Sequence, residues 1–103
     1  MKQKFILKYL PLFEQDLTAA RDYIAFSLHN PIAAQRLVQN TEEAILKRLD
    51  NPCSFELYHS TRERKLPYYR INIKNFSVFY VVDGNVMEVR RFVYNKRNLP
   101  RII

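Results

Sequence analysis

Three apolar, β-prone segments in series, Tyr69–Ile73, Phe76–Val82 and Val86–Tyr94, constrain this chain more than any other feature. They are separated only by Lys74–Asn75 and Asp83–Gly84–Asn85. Connections that short predict hairpins, and Asp-Gly tolerates the positive φ that tight hairpin turns demand. The middle segment is apolar in both parities, with Phe76, Val78, Tyr80 and Val82 on one side and Phe79 and Val81 beside Ser77 on the other. It reads as a central strand buried on both faces. In the last segment, strict alternation groups Met87, Val89, Arg91 and Val93 against Glu88, Arg90, Phe92 and Tyr94. Arg91 and Tyr94 then fall on opposite faces unless a bulge intervenes.

The preceding half has a different period. Phe5, Leu7 and Tyr9 alternate in a first strand over Lys4–Tyr9, which Pro11 ends. From Leu12, residues Phe13, Leu17, Ala20, Ile24 and Leu28 recur at helical spacing and predict one apolar helix face ending near His29. Glu14 and Asp16 sit in its first turn, where negative charge complements the helix dipole. Asn30-Pro31 then supplies an N-cap and a first-turn proline for a second helix. Its inward stripe runs through Ala34, Leu37, Thr41, Ala44, Ile45 and Arg48/Leu49 until Asp50-Asn51-Pro52 stops it. Residues 53–67 lack a period, which implies a functional loop or a hidden short strand. The expected fold is α+β in the order β-α-α-β-β-β, an antiparallel sheet with a helix hairpin packed on one face, forming a single domain over residues 1–103.

Charge placement narrows the function. Residues 1–61 balance seven Lys/Arg against seven acids, whereas residues 62–103 hold ten against three, which is the whole net charge of +7. Such segregation favours an anionic partner, either phosphate or acidic protein. The start, with Lys8 and Pro11 breaking its apolar residues, reads as neither signal peptide nor membrane span, so a cytoplasmic protein is expected. Cys53 is the sole cysteine and allows no internal disulfide. No spacing of His, Cys or carboxylates suits a metal, and Gly84, the one glycine, makes no phosphate loop. No cofactor is expected.

The ordered set of Asp16-Leu17, Tyr23-Ile24, Asn30-Pro31, Ala33-Ala34, Tyr69-Arg70, Asn75-Phe76, Val78–Asp83, Arg91–Tyr94 and Lys96-Arg97-Asn98 resembles the RelE/ParE superfamily of bacterial toxins. The resemblance spans about residues 4–99. It implies a compact α+β toxin whose partner is a cognate antitoxin, here expected to be acidic, with DNA contacted only through that antitoxin. RelE-like members are ribosome-dependent mRNA endoribonucleases, whereas ParE-like members poison DNA gyrase without a known hydrolytic centre.

Metal-independent RNA cleavage needs a base for the 2′-hydroxyl, cations for the phosphorane and an acid for the leaving oxygen. For that chemistry the candidates are Arg70, Arg91 and Arg97 on phosphate and Tyr94 orienting the base or supplying a proton. Arg62, Arg64, Lys65, Lys74 and Lys96 are the accompanying RNA-binding candidates. The chain departs from RNase-type relatives at two places. Ser77 stands where a basic residue often precedes the central run, and Val93-Tyr94 stand where many relatives end in histidine. His29 and His59, the only histidines, read as a helix-end residue and a loop residue. The first expectation is therefore a translation-inhibiting endoribonuclease. The alternatives are a gyrase inhibitor and a decayed toxin kept as an antitoxin-binding module.

Overall fold

The computed structural model describes residues 4–59, 65–97 and 99–103. Strand β1 (Ile6–Tyr9) leads into α1 (Pro11–Asp22), which continues as a π-helical turn over Tyr23–Ser27, and α2 (Pro31–Leu49) follows. Strands β2 (Tyr69–Ile73), β3 (Phe76–Asp83) and β4 (Val86–Tyr94) come next, and a short helical turn, α3 (Leu99–Ile102), is last. The sheet order is β1-β4-β3-β2.

Strands β2, β3 and β4 pair antiparallel, as the short connections require. Lys74 and Gly84 adopt φ of 52° and 60° at the two hairpin turns. Strand β1, also expected to be antiparallel, instead joins β4 parallel, with Ile6 opposite Val86 and Tyr9 opposite Val89. No tight turn links this pair. Both helices and a strand hairpin intervene, so the chain can return to the end from which β1 started.

β3 is buried on both sides. Val78 and Tyr80 face the helices within a core that includes Phe13, Leu37, Ile45, Ile71, Met87, Val89 and Phe92. Phe79 and Val81 face away and pack with Tyr68, Val93 and Ile103. The second face is closed by residues the sequence reading left unassigned. Leu57 forms an isolated bridge with Tyr69, and Tyr58 N–H donates to the Tyr68 carbonyl at 2.8 Å. Leu99 and Ile102 pack over the same cluster.

In the helices, Asn30 caps α2 by accepting from Ala33 N–H at 3.1 Å, and Ala34, Leu37, Thr41 and Ile45 are buried as their spacing predicts. The stripe of α1 holds through Ile24 but loses Leu28, which is 55% exposed. The π turn is the cause. Leu28 N–H bonds to the Tyr23 carbonyl five residues back, and the extra residue rotates the stripe off the core.

The end of α2 is tied to the sheet through Tyr80. Its hydroxyl accepts from Arg48 Nη1 at 3.0 Å and donates to the Pro52 carbonyl at 2.8 Å. Tyr80→Phe strands the Pro52 carbonyl and leaves Arg48 Nη1 with only its 3.5 Å contact to the Arg70 carbonyl, and it should cost about 1–3 kcal/mol in urea unfolding. Burial raises the Tyr80 phenol above its ordinary 10.0, with Arg48 only partly offsetting it, and burial likewise raises Tyr9. The raised groups favour the fold while protonated. That contribution is complete below about pH 10 and is lost as pH climbs through the folded-state values. Urea midpoints should therefore fall above that pH, and less steeply in Tyr80→Phe. An unchanged slope would remove Tyr80 as a cause.

Candidate functional site

The site grows from one end of the sheet. The Lys74–Asn75 turn is held by Asn95, whose N–H donates to the Asn75 carbonyl at 2.8 Å and whose Nδ2 donates to the Lys74 carbonyl at 3.4 Å. This clasp supports the left-handed backbone at Lys74, which a lysine adopts only at a cost. It also brings the turn after β4 beside the turn before β3. Lys74, Lys96 and Arg97 are exposed at this shared end.

β4 carries a bulge. Val89 pairs with Tyr80 and Arg91 with Phe79, so Arg90 is the extra residue. The bulge corrects the expected alternation. Met87, Val89 and Phe92 all join the helix-side core, while Val93 moves to the opposite cluster. Tyr94 follows Phe92 to the helix side, where its ring lies 5.3 Å from that of Phe76. Because the bulge precedes both residues, it does not by itself place Arg91 and Tyr94 on one face.

Asp16 brings Arg91 to the helix side instead. β1 pairs with β4 only as far as Val89, so β4 has no neighbouring strand beyond it on that edge among the described residues. The Asp16 carboxylate stands there. It accepts from Phe92 N–H at 3.1 Å and from Arg91 Nε and Nη2 at 2.8 and 3.3 Å. Its role is thus to cap a strand edge; with α1 starting at Pro11, only Glu14 lies in the first turn, and Asp16, expected there, sits one turn further on.

Between α1 with its π turn and the joined ends of β3 and β4 lies an open groove of about 550 Å³. Ala20, Ile24, Leu28, Phe76 and Phe92 form its apolar wall, and Asp16, Asn75, Tyr94 and Arg97 supply polar groups. Of the four expected catalytic residues, only Tyr94 and Arg97 line it. Arg91 reaches it only through Asp16, its ion-pair partner.

Arg70 does not join them. It pairs in register with Phe79, and its guanidinium lies 5.8 Å from the Phe79 ring and 5.7 Å from the Tyr58 ring, in the cluster facing away from the helices. Nε donates to Ser77 Oγ at 2.8 Å and Nη2 to Asn95 Oδ1 at 3.1 Å. The expected cluster of three guanidiniums is therefore dispersed, because strand register sends Arg70 to one face and a carboxylate holds Arg91. Arg90 is also engaged. Burial, the largest single influence, opposes its charge, but Glu88, with Oε1 at 2.7 Å, and the Tyr68 phenol together outweigh it and raise its pKa above the ordinary value.

Lys65 is exposed and does not line the groove, and Arg62 and Arg64 lie outside the described residues. His59 is exposed, 3.6 Å from Glu56, and His29 closes the first helical run at φ 51°. Neither histidine lines the groove. The reading of residues along the chain missed the groove and Asp16, since both arise from contacts between segments far apart in sequence. No group of three or more His, Cys, Asp or Glu among the described residues could hold a metal.

A helical hairpin over a four-stranded mixed sheet, with an open groove at the sheet end, defines a toxin of the RelE/ParE superfamily. The family model described as ParE toxin of type II toxin-antitoxin system, parDE, matches residues 7–99, and the chain belongs to that family. It is therefore a toxin of a type II toxin–antitoxin system, which implies an antitoxin partner. Among solved structures, the chromosomal ParDE TA system from P. aeruginosa contains a chain of the same fold. That chain superposes with a TM-score of 0.69 at 21% identity, covering 89% of this chain and 97% of its own. The RelB-RelE antitoxin-toxin complex from Methanococcus jannaschii matches with a TM-score of 0.49 at 21% identity, covering 86% of this chain and 91% of the other. No curated protein matches the sequence. None of the helices among the described residues is long and apolar enough to cross a membrane.

Proposed function

We propose that this toxin acts by binding rather than by hydrolysis, as a ParE-type poison of DNA gyrase, and is neutralised by an acidic antitoxin. One observation carries the reading. The guanidiniums that an RNA phosphorane would need are committed elsewhere, Arg70 to Ser77 and Asn95 and Arg91 to Asp16. Cleavage through a 2′-hydroxyl needs a base, cations and an acid converging within hydrogen-bond reach of one phosphate. Among the described residues, the groove around Tyr94 offers one unpaired guanidinium, Arg97, and no imidazole. Membership of the ParE toxin family points the same way.

The endoribonuclease remains a second reading, because Tyr94 and Arg97 do share the groove. In it, these two would act on RNA with Lys74 and Lys96 steering the backbone. Induced expression separates the readings. The proposal expects growth arrest with DNA breaks and intact mRNA. It is overturned by mRNA cut at ribosomal A sites and protected by Tyr94→Phe with Arg97→Ala. Absence of toxicity would also overturn it, in favour of a decayed toxin.

A further inference from the structure

Residues 23–35 form the longest stretch of the chain without Asp, Glu, Lys or Arg, thirteen positions in a protein that is 26% charged. The next longest, residues 75–82, is explained by β3, which is buried on both faces. Burial does not explain the first. Tyr23, residues 26–32 and Gln35 are all exposed where the π turn passes into α2. Phe26 and Ile32 keep 72% and 65% of their surface open. Large apolar side chains left in water, with no charge among them, are a surface that gains free energy by being covered.

The same face is concave. Between the end of the first helical run and α2 lies an open depression of about 460 Å³, lined by Ala25, Pro31, Ala34 and Val38 and by Phe26 itself. None of its lining residues belongs to the groove beside Tyr94. Ile32 stands on the α2 stripe of Gln35 and Gln39, which also line it. Arg21 and Asp22 at its rim bond each other at 3.1 Å, so the rim carries no net charge. From this we infer that a second copy of this chain docks here, hairpin to hairpin about a two-fold axis, with Phe26 of each copy entering the depression of the other.

Two observations choose the occupant. The face carries a projecting aromatic and a small-residue hollow side by side, which is the self-complementarity an isologous contact requires. It also offers nothing to a partner recognised by charge. Nucleic acid or an acidic protein would meet no cation in residues 23–35, whereas two copies meet there without opposing like charges. Size sets the strength. Phe26, open over 72% of the roughly 200 Å² of an aromatic residue, contributes about 140 Å² per copy, against about 800 Å² per partner in a standard interface. The dimer is therefore weak and reversible, with a dissociation constant on the order of 10–100 μM. Away from the contact each copy carries +7, so added salt strengthens the association by screening that repulsion.

Sedimentation of the full chain across about 1–500 μM brackets that range and should show the average mass rising from one chain toward two. Phe26→Glu and Ile32→Glu alter exposed positions and should each weaken the dimer at least tenfold, with melting temperature unchanged. Ile6→Glu, the same kind of change at a 57% exposed site on β1, should leave it unaltered. As a second measurement, Phe26→Cys in a Cys53→Ser chain should be joined into dimers by a short bismaleimide, and Ile6→Cys in that chain should not. A single chain at every concentration, association that weakens with salt, a dimer indifferent to both hairpin changes, or an equal loss in Ile6→Glu overturns the inference. So does a monomer that binds phosphatidylcholine vesicles and loses them in Phe26→Glu, which would give the face to lipid instead.

Discussion

Asp16→Ala should destabilise the protein by about 2–4 kcal/mol in urea unfolding, a large share of the stability of a domain this size. The side chains of the pair are mostly buried, 21% exposed for Arg91 and 15% for Asp16. Removing the carboxylate leaves a guanidinium without its anion and Phe92 N–H without an acceptor. Each orphaned group then bears its desolvation penalty with no hydrogen bond to offset it. Asp16→Asn keeps an acceptor for Phe92 N–H but not the charge, so it should lose less. Arg91→Ala removes the cation and leaves Asp16 on the strand edge, so Asp16→Ala with Arg91→Ala should cost less than the sum of the single changes. A loss for Asp16→Ala within about 0.5 kcal/mol would mean that the β4 edge needs no cap.

Asp16 also shows where the amino-acid sequence stops being readable. Local rules place it in the first part of α1 and suggest a dipole role, yet its partners are 75 and 76 residues away. The elements set by neighbouring residues were legible. Asn30-Pro31 opens α2, the short turns define β2–β4, and the doubly apolar β3 is buried on both faces. Three features were not. The π turn over Tyr23–Ser27 carries no proline or glycine to mark it, and it alone removes Leu28 from the core. The bulge at Arg90 depends on how β4 meets β3, not on β4's own pattern. The parallel pairing of β1 is decided by the whole intervening chain. These same features determine which cations converge. Sequence proximity of Arg91, Tyr94 and Arg97 therefore overstated their cooperation, and Arg70 was separated from them by register.

Ser77→Lys should be the most damaging single change, costing roughly 4 kcal/mol or more and leaving little folded protein. It restores the basic residue that RNase-type relatives often carry before the central strand, so packing and chemistry can be weighed at one position. Ser77 is fully buried. Its Oγ accepts from Arg70 Nε at 2.8 Å and donates to Asn95 Oδ1 at 2.6 Å, joining β2 to the turn after β4. A lysine there would place a long ammonium side chain against the Arg70 guanidinium, with like charges in a space filled by a hydroxymethyl group. It would also remove a link in the clasp that brings Lys74 and Arg97 together. Ser77→Ala, which deletes only the hydroxyl, should cost about 1–3 kcal/mol and leaves a milder variant for functional assay. Circular dichroism and urea midpoints check both. A stable Ser77→Lys protein that gained ribosome-dependent mRNA cleavage would overturn the packing argument and would also show that the strand arginines can converge on RNA, removing the ground for a non-hydrolytic toxin.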